Sequence, residues 1–339
     1  MPQKMKALVK REAREGLVLE QLDVPRPVRG EVLLKVKAAS VCGTDLHIFR
    51  WDSWAQNNLK PPLTIGHEFS GEIVEVGAGV TKAKMGDFAS VESHIPCETC
   101  ALCRSDQMHI CTKQTIFGVH RDGGFAEFVT VPEVCLWLHR KPIEPAHAAI
   151  MEPLGNAVHA VSAAGVEGRR CIVFGCGPAG VFTVMVARAL GAKQVFAVDI
   201  DPGRREMAKD AGADDVFDGA DPGLAARERE LDVAFEMSGA QAALDAALKM
   251  TRHGATIVAF GLPGGALNLK DIILSGRRVF GIVGRHMFET WKLMQRLLDE
   301  GRLHPERAIT HRFRLGEYEQ AFRAIIDKNV RTGKVVLIP

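Results

Sequence analysis

The sequence predicts a two-domain α/β protein, with an irregular β-rich first half and a doubly wound parallel sheet in the second half. Length is the first reason, because 339 residues exceed the size at which a single hydrophobic core stops growing. The second reason is that short strand-like segments run from Met1 to about Met151. The third is that helices and buried strands alternate from about Glu152 onward, as they do in a parallel sheet covered by helices.

The expected elements follow from residue type and periodicity. In the first half, β-branched and aromatic residues bounded by Gly, Pro or Asp predict the strands EVLLKVKA, EFSGEIVEV and FAEFVTVP, with a cysteine-rich loop after GDFASVESH. In the second half we expect the strands CIVFG, QVFAVDI, LDVAFEMSG and ATIVAFG, and the helices VFTVMVARALGA and QAALDAALKMTRHG. The tail predicts a helix, EYEQAFRAIIDKN, and a final strand, GKVVLIP, which could join either domain.

Composition restricts the classes of function. Hydrophobic residues make up 47% and charged residues 25%, and the formal charge is only +2, so nothing favours a nucleic acid or an anionic membrane as partner. The N-terminal MPQKMKALVKREAREG has no apolar signal region. No stretch of about 18 apolar residues suggests a transmembrane helix. We therefore expect a cytoplasmic protein that acts on a small molecule.

Four of the eight cysteines, Cys97, Cys100, Cys103 and Cys111, lie in the run PCETCALCRSDQMHIC. Disulfides between such close neighbours are strained, and cytosolic thiols stay reduced. The spacing C-x2-C-x2-C-x7-C supplies four thiolates, which close a tetrahedral shell around a structural zinc. An iron–sulfur cluster and a thiol switch remain as alternatives. By contrast, Cys135, Cys171 and Cys176 are interpreted as small buried hydrophobes.

A glycine motif opens the second half. Gly175, Gly177 and Gly180 form G-x-G-x-x-G between a predicted strand and a predicted helix, where the backbone can approach a pyrophosphate at the helix N-terminus. Asp199 ends the next strand, the place of the carboxylate that binds the adenosine ribose. That carboxylate would repel a 2′-phosphate, which favours NAD over NADP. The nearby Arg204 and Arg205 leave the preference open.

Two polar segments stand out among the strands of the first half. SVCGTDLHIF contains Cys42, Thr44 and His47, and TIGHEFSG contains His67 and Glu68. A single cysteine or histidine is more often a packing residue than a ligand. Together with a dinucleotide motif and a four-cysteine loop, however, these residues form a recognisable set.

The chain resembles the zinc-dependent medium-chain dehydrogenases over essentially its whole length. The resemblance rests on CGTDLH, GHEFSGEIVEVGAGV, GDFAS, the four-cysteine loop, EPLGNAVHA and GCGPAG. It implies a GroES-like catalytic domain over 1–152 and 297–339, a Rossmann NAD-binding domain over 153–296, and a homotetramer. The segments CGTDLHIFRWDSWAQ, FEMSGA, GIVGRHMFETW and ITHRF are most similar to the members that oxidise L-threonine.

The resemblance also implies two zinc ions per subunit and a role for individual residues. A catalytic zinc would be held by Cys42 and His67, with Glu68 and Glu152 as exchangeable ligands. Thr44 would take the proton of the substrate hydroxyl and His47 would pass it to solvent. Hydride would move from C3 of L-threonine, as a zinc-held alkoxide, to NAD, and the product would be 2-amino-3-oxobutyrate.

Further positions are implied for the substrate and the cofactor. Glu152 is the expected partner of the substrate ammonium group. For His94 two roles are equally open, lining the substrate pocket or simple packing. The segments expected to contact the cofactor contain Ala179, Arg204, Phe260, Gly261, Leu262, Ile282 and Val283.

Two alternative functions remain at this point. A polyol or diol dehydrogenase of the sorbitol or butanediol type would share every metal ligand, but it should lack the RWDSWAQ and GRHMFETW segments. A zinc-loop protein that binds NAD without chemistry would have no physical need for Cys42, Thr44, His47, His67 and Glu152.

Overall fold

The computed structural model describes residues 3–262, 264–327 and 329–339. Its strands, in chain order, are β1 (Lys4–Lys10), β2 (Val18–Asp23), β3 (Glu31–Ser40), β4 (Leu63–Thr64), β5 (Glu68–Val76), β6 (Phe88–Val91), β7 (His94–Ile95), β8 (Thr115–Ile116), β9 (Phe128–Pro132), β10 (Leu136–Leu138), β11 (Arg170–Phe174), β12 (Gln194–Val198), β13 (Asp215–Phe217), β14 (Leu231–Glu236), β15 (Thr251–Ala259), β16 (Arg278–Gly281), β17 (Ile309–Arg314) and β18 (Lys334–Ile338).

The α-helices are α1 (Gly43–Arg50), α2 (Ser53–Asn58), α3 (Ala101–Arg104), α4 (Pro145–Ala149), α5 (Met151–Ala164), α6 (Pro178–Ala189), α7 (Pro202–Asp210), α8 (Pro222–Ala225), α9 (Gln241–Met250), α10 (Leu269–Ser275), α11 (Glu289–Asp299) and α12 (Tyr318–Ile326). None of the helices in the described part of the chain has both the length and the hydropathy that a membrane span requires.

The first compact unit contains residues 1–152, 309–330 and 334–339. Its largest sheet has the order β10-β6-β5-β3-β18-β17, with β9 also paired to β3. The core of this unit includes Phe69, Phe117 and Phe125, which are fully buried. β18 pairs with both β3 and β17, so the predicted final strand joins this unit and its first residues, Lys334 and Val335, lie beside the start of α1.

The second compact unit contains residues 153–308 and 331–333. Its strands pair in parallel in the order β13-β12-β11-β14-β15-β16, and helices connect them. The order reverses direction between β11 and β14, which places a topological switch point at the carboxyl end of β11. The predicted combination of a doubly wound sheet and a β-rich unit is thereby confirmed.

Most predicted elements are present, and several of their boundaries differ, as three examples show. The helix predicted to run through TRHG ends at Met250, because the backbone of Thr251 is extended and begins β15, where Thr251 pairs with Leu231. The strand predicted from Phe125 begins at Phe128. The predicted helix EYEQAFRAIIDKN ends at Ile326, and its Lys328 lies outside the described residues.

The compact units can be compared with the expected domain boundaries. The first expected segment, 1–152, coincides with the first segment of the first unit. Residues 297–308 and 331–333, which the resemblance places with the catalytic domain, belong to the second compact unit. The assignment of catalysis to one unit and NAD binding to the other remains a prediction.

Candidate metal and dinucleotide sites

The four-cysteine loop is held at its two ends by the short antiparallel ladder of β7 and β8. The Sγ of Cys100 lies 3.5 Å from that of Cys103 and 3.9 Å from that of Cys111, and Cys97 lies 4.0 Å from Cys103. Zinc–sulfur bonds of about 2.3 Å place tetrahedral sulfurs at about these separations. All eight cysteines are free thiols, so the loop fits a zinc ion and contains no disulfide.

Backbone and hydroxyl donors surround these sulfurs. The amide of Cys97 donates to Cys111 at 3.3 Å, and the Thr99 hydroxyl donates to Cys97 at 3.5 Å. The hydrogen bonds from Thr99 lower the pKa of Cys97 to about 5, whereas burial raises the pKa of Cys103 to about 12. The hydrogen bond from the backbone amide of Cys103 also lowers the pKa of Cys100. The loop itself thus favours two thiolates, and a cation is needed to stabilise the others.

A second group of ligand atoms lies within the first unit. Cys42 precedes α1, and His67 and Glu68 stand where β5 begins. Their ligand atoms all lie within 4.8 Å of one another, and His67 and Glu68 are almost fully buried. Sulfur, imidazole and carboxylate form a donor set that zinc accepts, so the structure brings together three of the four residues expected at the catalytic zinc.

Charge at this cluster also fits a cation. Burial lowers the pKa of His67, but the negative charges of Cys42 and Asp45 outweigh it and raise that pKa to about 10. His67 Nδ1 lies 3.8 Å from Asp45 Oδ1, and neither atom has a hydrogen-bond partner among the described residues. Because the surrounding anions stabilise positive charge at the imidazole, a zinc ion can replace the proton.

Asp45 supports this cluster from α1. Its side chain is fully buried, and its Oδ2 accepts a 2.8 Å hydrogen bond from the backbone amide of Cys42. Burial raises the pKa of Asp45 to about 6, against the opposing charge of His67. A carboxylate beside a metal-binding histidine orients the ring, so Asp45 is a supporting residue that the sequence analysis left without a role.

Glu68 has two donors of its own. Its Oε2 accepts hydrogen bonds from the Ser40 hydroxyl and from the ammonium group of Lys334, all three being buried. Burial lowers the pKa of Lys334, but the charges of Glu68 and Cys42 outweigh it and raise that pKa. The sequence analysis missed Lys334. The available signal was a single lysine at the start of the otherwise apolar strand KVVLI.

Glu152 stands in the first turn of α5 and is 4% exposed. Its Oε1 accepts a 2.5 Å hydrogen bond from the Ser93 hydroxyl. It does not belong to the group of ligand atoms within 4.8 Å, although its charge raises the pKa values of both His67 and Lys334. Glu152 therefore lies beside the cluster, and its role as a ligand stays a prediction.

The residues expected to carry the proton lie on α1. Thr44 is half-buried near its start, and His47 is exposed. His47 Nδ1 lies 2.5 Å from Asp52 Oδ2, while Asp52 Oδ1 accepts from the amides of Trp54 and Ala55 at the start of α2. Asp52 thereby fixes the position of the imidazole at the protein surface, which is where a proton would be released to water.

His94, for which the sequence left open a role in the substrate pocket or in simple packing, is the first residue of β7. Its backbone amide donates to Glu92 Oε1 at 3.1 Å, and its Nδ1 lies 4.0 Å from the same oxygen. The side chain of His94 is 14% exposed and that of Glu92 is fully buried. These contacts are equally compatible with both interpretations, so the role of His94 stays a prediction.

The glycine motif occupies the turn between β11 and α6. Gly175 has φ +90°, and a Cβ there would lie 2.7 Å from the side chain of Ser238. A Cβ on Gly180 would lie 1.8 Å from the carbonyl oxygen of Gly175, whereas one on Gly177 would meet nothing within 4 Å. The turn therefore needs glycine at its ends, and the space over Gly177 suits a pyrophosphate at the N-terminus of α6.

Asp199 follows β12 and is 8% exposed. Its Oδ2 accepts from the amide of Cys176 at 2.7 Å, and its Oδ1 accepts from the amide of Asp201 at 2.9 Å. Arg205 bonds the backbone carbonyl of Asp199, while Arg204 is exposed. Asp199 thus supports the glycine turn itself, a role beyond the ribose contact that the motif predicts.

The remaining residues expected at the cofactor lie near the carboxyl ends of the strands of the second sheet. Phe260, Gly261 and Leu262 follow β15, Ile282 and Val283 follow β16, and Ala179 lies in the first turn of α6. Parallel strands have their carboxyl ends on the same side of a sheet, so these segments lie on the side that carries Gly175 and Asp199.

The sequence analysis missed Glu236 at the end of β14. Its Oε1 accepts hydrogen bonds from the amides of Ser238 and Gly239.

Comparison with known proteins gives the family. Residues 28–142 match the alcohol dehydrogenase GroES-like domain, and residues 178–300 match the zinc-binding dehydrogenase domain. The chain is 41% identical to L-threonine 3-dehydrogenase of Pyrococcus abyssi, over 100% of this chain and 99% of that one. It is 42% identical to L-threonine 3-dehydrogenase of Bacillus licheniformis, over 99% of each.

A solved structure agrees with these sequence matches. The 2R,3R-butanediol dehydrogenase of Bacillus subtilis superposes with a TM-score of 0.88, at 29% identity and over 99% of both chains. The whole chain is therefore accounted for by relatives with the same arrangement of strands and helices. The chain belongs to the zinc-dependent medium-chain dehydrogenase family, as its motifs predicted, and its cofactors are zinc and NAD.

Proposed function

We propose that this protein oxidises L-threonine at C3 with NAD, giving 2-amino-3-oxobutyrate and NADH. Two observations together carry the proposal. Similarity to L-threonine 3-dehydrogenases extends over the full chain, and the same chain forms a buried, anionic cluster of zinc-type ligands. A protein that only bound NAD would have no use for such a cluster, because buried charges without a partner destabilise the fold.

The catalytic zinc is proposed to bind Cys42 and His67, with Glu68 and Glu152 as exchangeable carboxylate ligands. Zinc, when bound there, supplies the Lewis acidity that lowers the pKa of the substrate hydroxyl group. Asp45, 3.8 Å from the His67 ring, is proposed to stabilise positive charge there, and Ser93 is proposed to orient Glu152 through a hydrogen bond. The four-cysteine loop is proposed to hold the structural zinc.

Residues of α1 are proposed to remove the proton. The hydroxyl of Thr44 both donates and accepts hydrogen bonds, so it can take the substrate proton while passing its own outward. His47 is proposed to deliver that proton to water, because its imidazole is exposed and Asp52 holds it in place. The proposed path therefore runs from the Thr44 hydroxyl, through the cofactor ribose, to the His47 imidazole at the surface.

Hydride transfer needs NAD, which supplies the acceptor when bound at the second unit. The glycine turn of Gly175, Gly177 and Gly180 is proposed to receive the pyrophosphate, and Asp199 to receive the ribose. Catalysis is proposed for the unit built around 1–152, and NAD binding for the unit built around 153–296. The carboxylate of Asp199 disfavours a 2′-phosphate, which supports NAD as the physiological cofactor.

Selectivity for threonine is proposed to rest on polar partners for its charged groups. Glu152 is the proposed partner of the ammonium group, with His94 as a second polar residue. Buried polar groups that a poor substrate leaves unpaired can reject it by roughly 10⁴-fold. Simple alcohols and diols carry neither charge and should therefore be poor substrates.

The protein is proposed to be a cytoplasmic homotetramer. Support for assembly comes from the outer edge of the second sheet, where β16 is a terminal strand. Leu269, Ile273 and Leu274 of the adjacent α10 are 64%, 75% and 71% exposed. An unpaired strand edge beside exposed apolar side chains is commonly covered by another subunit.

The test is NADH formation with L-threonine, sorbitol, 2,3-butanediol and ethanol at matched concentrations. We expect a far larger kcat/KM for L-threonine than for the other three. A preference for 2,3-butanediol would instead favour the activity named for the structural relative from Bacillus subtilis. Elemental analysis of the same preparation should find two zinc ions per chain, and one in Cys42→Ser.

A further inference from the structure

Glu236, the last residue of β14, is a fully buried carboxylate to which the proposed mechanism gives no role. Its Oε1 accepts hydrogen bonds from the amides of Ser238 and Gly239, at 2.7 and 2.8 Å, and from the Ser238 hydroxyl at 2.6 Å. Its Oε2 has no hydrogen-bond partner among the described residues. A buried carboxylate with an unsatisfied oxygen destabilises a fold, so stability does not explain this residue.

Glu236 lies between two segments that are expected at the cofactor. The amides of Phe260 and Gly261 donate to its backbone carbonyl, at 2.9 and 3.1 Å. A Cβ on Gly261 would lie 2.4 Å from Glu236 Oε2, so the backbone of that segment packs directly against the carboxylate. On the other side, a Cβ on Gly175 would lie 2.7 Å from the side chain of Ser238. The carboxylate therefore belongs to the framework of the dinucleotide site.

The place of Glu236 in the sheet assigns it to the nicotinamide half of that site. A dinucleotide crosses the switch point of a doubly wound sheet, with one half on each side. Asp199, proposed for the adenosine ribose, follows β12, whereas Glu236 ends β14 on the other side of β11. The nicotinamide ring is cationic in NAD⁺ and neutral in NADH, while the pyrophosphate has the same charge in both. A charge on this side of the switch point therefore acts differently on the two forms.

We propose that Glu236 sets the preference of the second unit for oxidised over reduced cofactor, because its negative charge stabilises the cationic nicotinamide ring. The inference rests on the proposed function, since it takes NAD to bind over the glycine turn. An anion with one unsatisfied oxygen is only partly compensated by its own donors, so its field extends to a nearby ligand. The charge thus helps the protein to bind the form of the cofactor that threonine oxidation consumes.

The experiment measures the dissociation constants of NADH and NAD⁺ for the zinc-loaded protein in the absence of threonine. NADH is followed by its fluorescence, and NAD⁺ by displacement of NADH, at fixed pH and ionic strength. Glu236→Gln removes the charge and nearly keeps the shape of the side chain. We expect it to raise the ratio of the NAD⁺ constant to the NADH constant by about tenfold, the order expected for one charge acting in a partly desolvated site.

Two carboxylate variants serve as controls. Asp232→Asn removes a charge from near the start of the same strand, where Asp232 accepts from the Arg170 amide and the Arg252 guanidinium. Because that charge is paired and lies at the opposite end of β14, the ratio should stay within about twofold of wild type. Glu236→Asp keeps the charge, so the ratio should stay near that of wild type even where both constants rise.

A ligand and a further variant separate charge from simple support of the turn. ADP-ribose lacks the nicotinamide ring, so Glu236→Gln should bind it as tightly as wild type does. Ser238→Ala keeps the charge and removes one of its donors, so the ratio should move in the opposite direction and fall by about twofold. This variant also provides a test should Glu236→Gln fail to fold.

An unchanged ratio in Glu236→Gln, or a raised ratio in Ser238→Ala, would overturn the proposal. So would an equal weakening of NAD⁺, NADH and ADP-ribose in Glu236→Gln, because the residue would then only support the turn. Failure of the proposed function looks different: wild-type protein would bind neither form of the cofactor, or would bind both without oxidising L-threonine.

Discussion

The two clusters of metal-type ligands in the first unit are assembled in different ways. The four-cysteine loop takes all its sulfurs from residues 97–111, between two paired strands. The other cluster takes Cys42 from the start of α1 and His67 and Glu68 from the start of β5. The first is a property of one short segment, whereas the second exists only after several strands have packed.

The surroundings of the two clusters differ as well. Backbone amides and the exposed Thr99 donate to the sulfurs of the loop. The second cluster instead contacts the buried charges of Asp45 and Lys334. Neutral donors suit a closed site that only holds structure, while buried charges adjust a site whose ligands must leave room for substrate. The two clusters thus differ both in their ligand atoms and in the residues that support those ligands.

The largest expected effect is that of Cys42→Ser on catalysis. Loss of the metal removes several kcal/mol of transition-state stabilisation, so kcat/KM for L-threonine should fall by roughly 10³-fold or more. Thermal unfolding should shift little by comparison. Cys100→Ser is the matched control, since it makes the same chemical change in the other cluster. Retention of activity in Cys42→Ser would remove the distinction between the clusters.

Cys100→Ser should act mainly on stability. A zinc-binding loop loses its folding free energy together with its metal, so the melting temperature should fall by several degrees in calorimetry. The kcat/KM of the remaining folded protein should stay within a fewfold of wild type. Total loss of turnover with unchanged melting would show that the loop takes part in the chemistry.

Ser93→Ala tests the support of Glu152. Removing the hydroxyl leaves Glu152 Oε1 without the 2.5 Å hydrogen bond, and such supporting contacts are typically worth about tenfold or more in metal affinity or activity. Steady-state kinetics should show this loss, and Ser93→Thr, which keeps the hydroxyl, should be close to wild type. Equal activity in all three proteins would mean that Glu152 needs no support.

The smallest expected effect is that of Thr99→Val. The Thr99 hydroxyl lies on the exposed loop and donates one long bond, at 3.5 Å, to Cys97. Its loss should change the free energy of unfolding by no more than about 1 kcal/mol and should leave kinetics unchanged. If Thr99→Val lowered kcat/KM more than Ser93→Ala does, the proposed contrast between the two clusters would be wrong.

Local features of the fold were readable from the sequence. The apolar residues of strands such as Arg170–Phe174 and of helices such as Pro178–Ala189 follow patterns that predict the conformation of the segment. The helix α9 was predicted too long because Arg252 and His253 are compatible with a helix. Its end depends on the pairing of Thr251 with Leu231 of β14, which is not visible in a local pattern.

The sequence by itself determined the ligand types, because spacing within a loop or a turn brings neighbouring residues together whatever the rest of the chain does. The four cysteines and the glycine turn are of this kind. Only the tertiary structure decided that Lys334 reaches Glu68, which is 266 positions away in the chain, and that Ser93 reaches Glu152. Such contacts depend on strand register and helix docking, which are set by packing of the whole unit and not by the residues that meet.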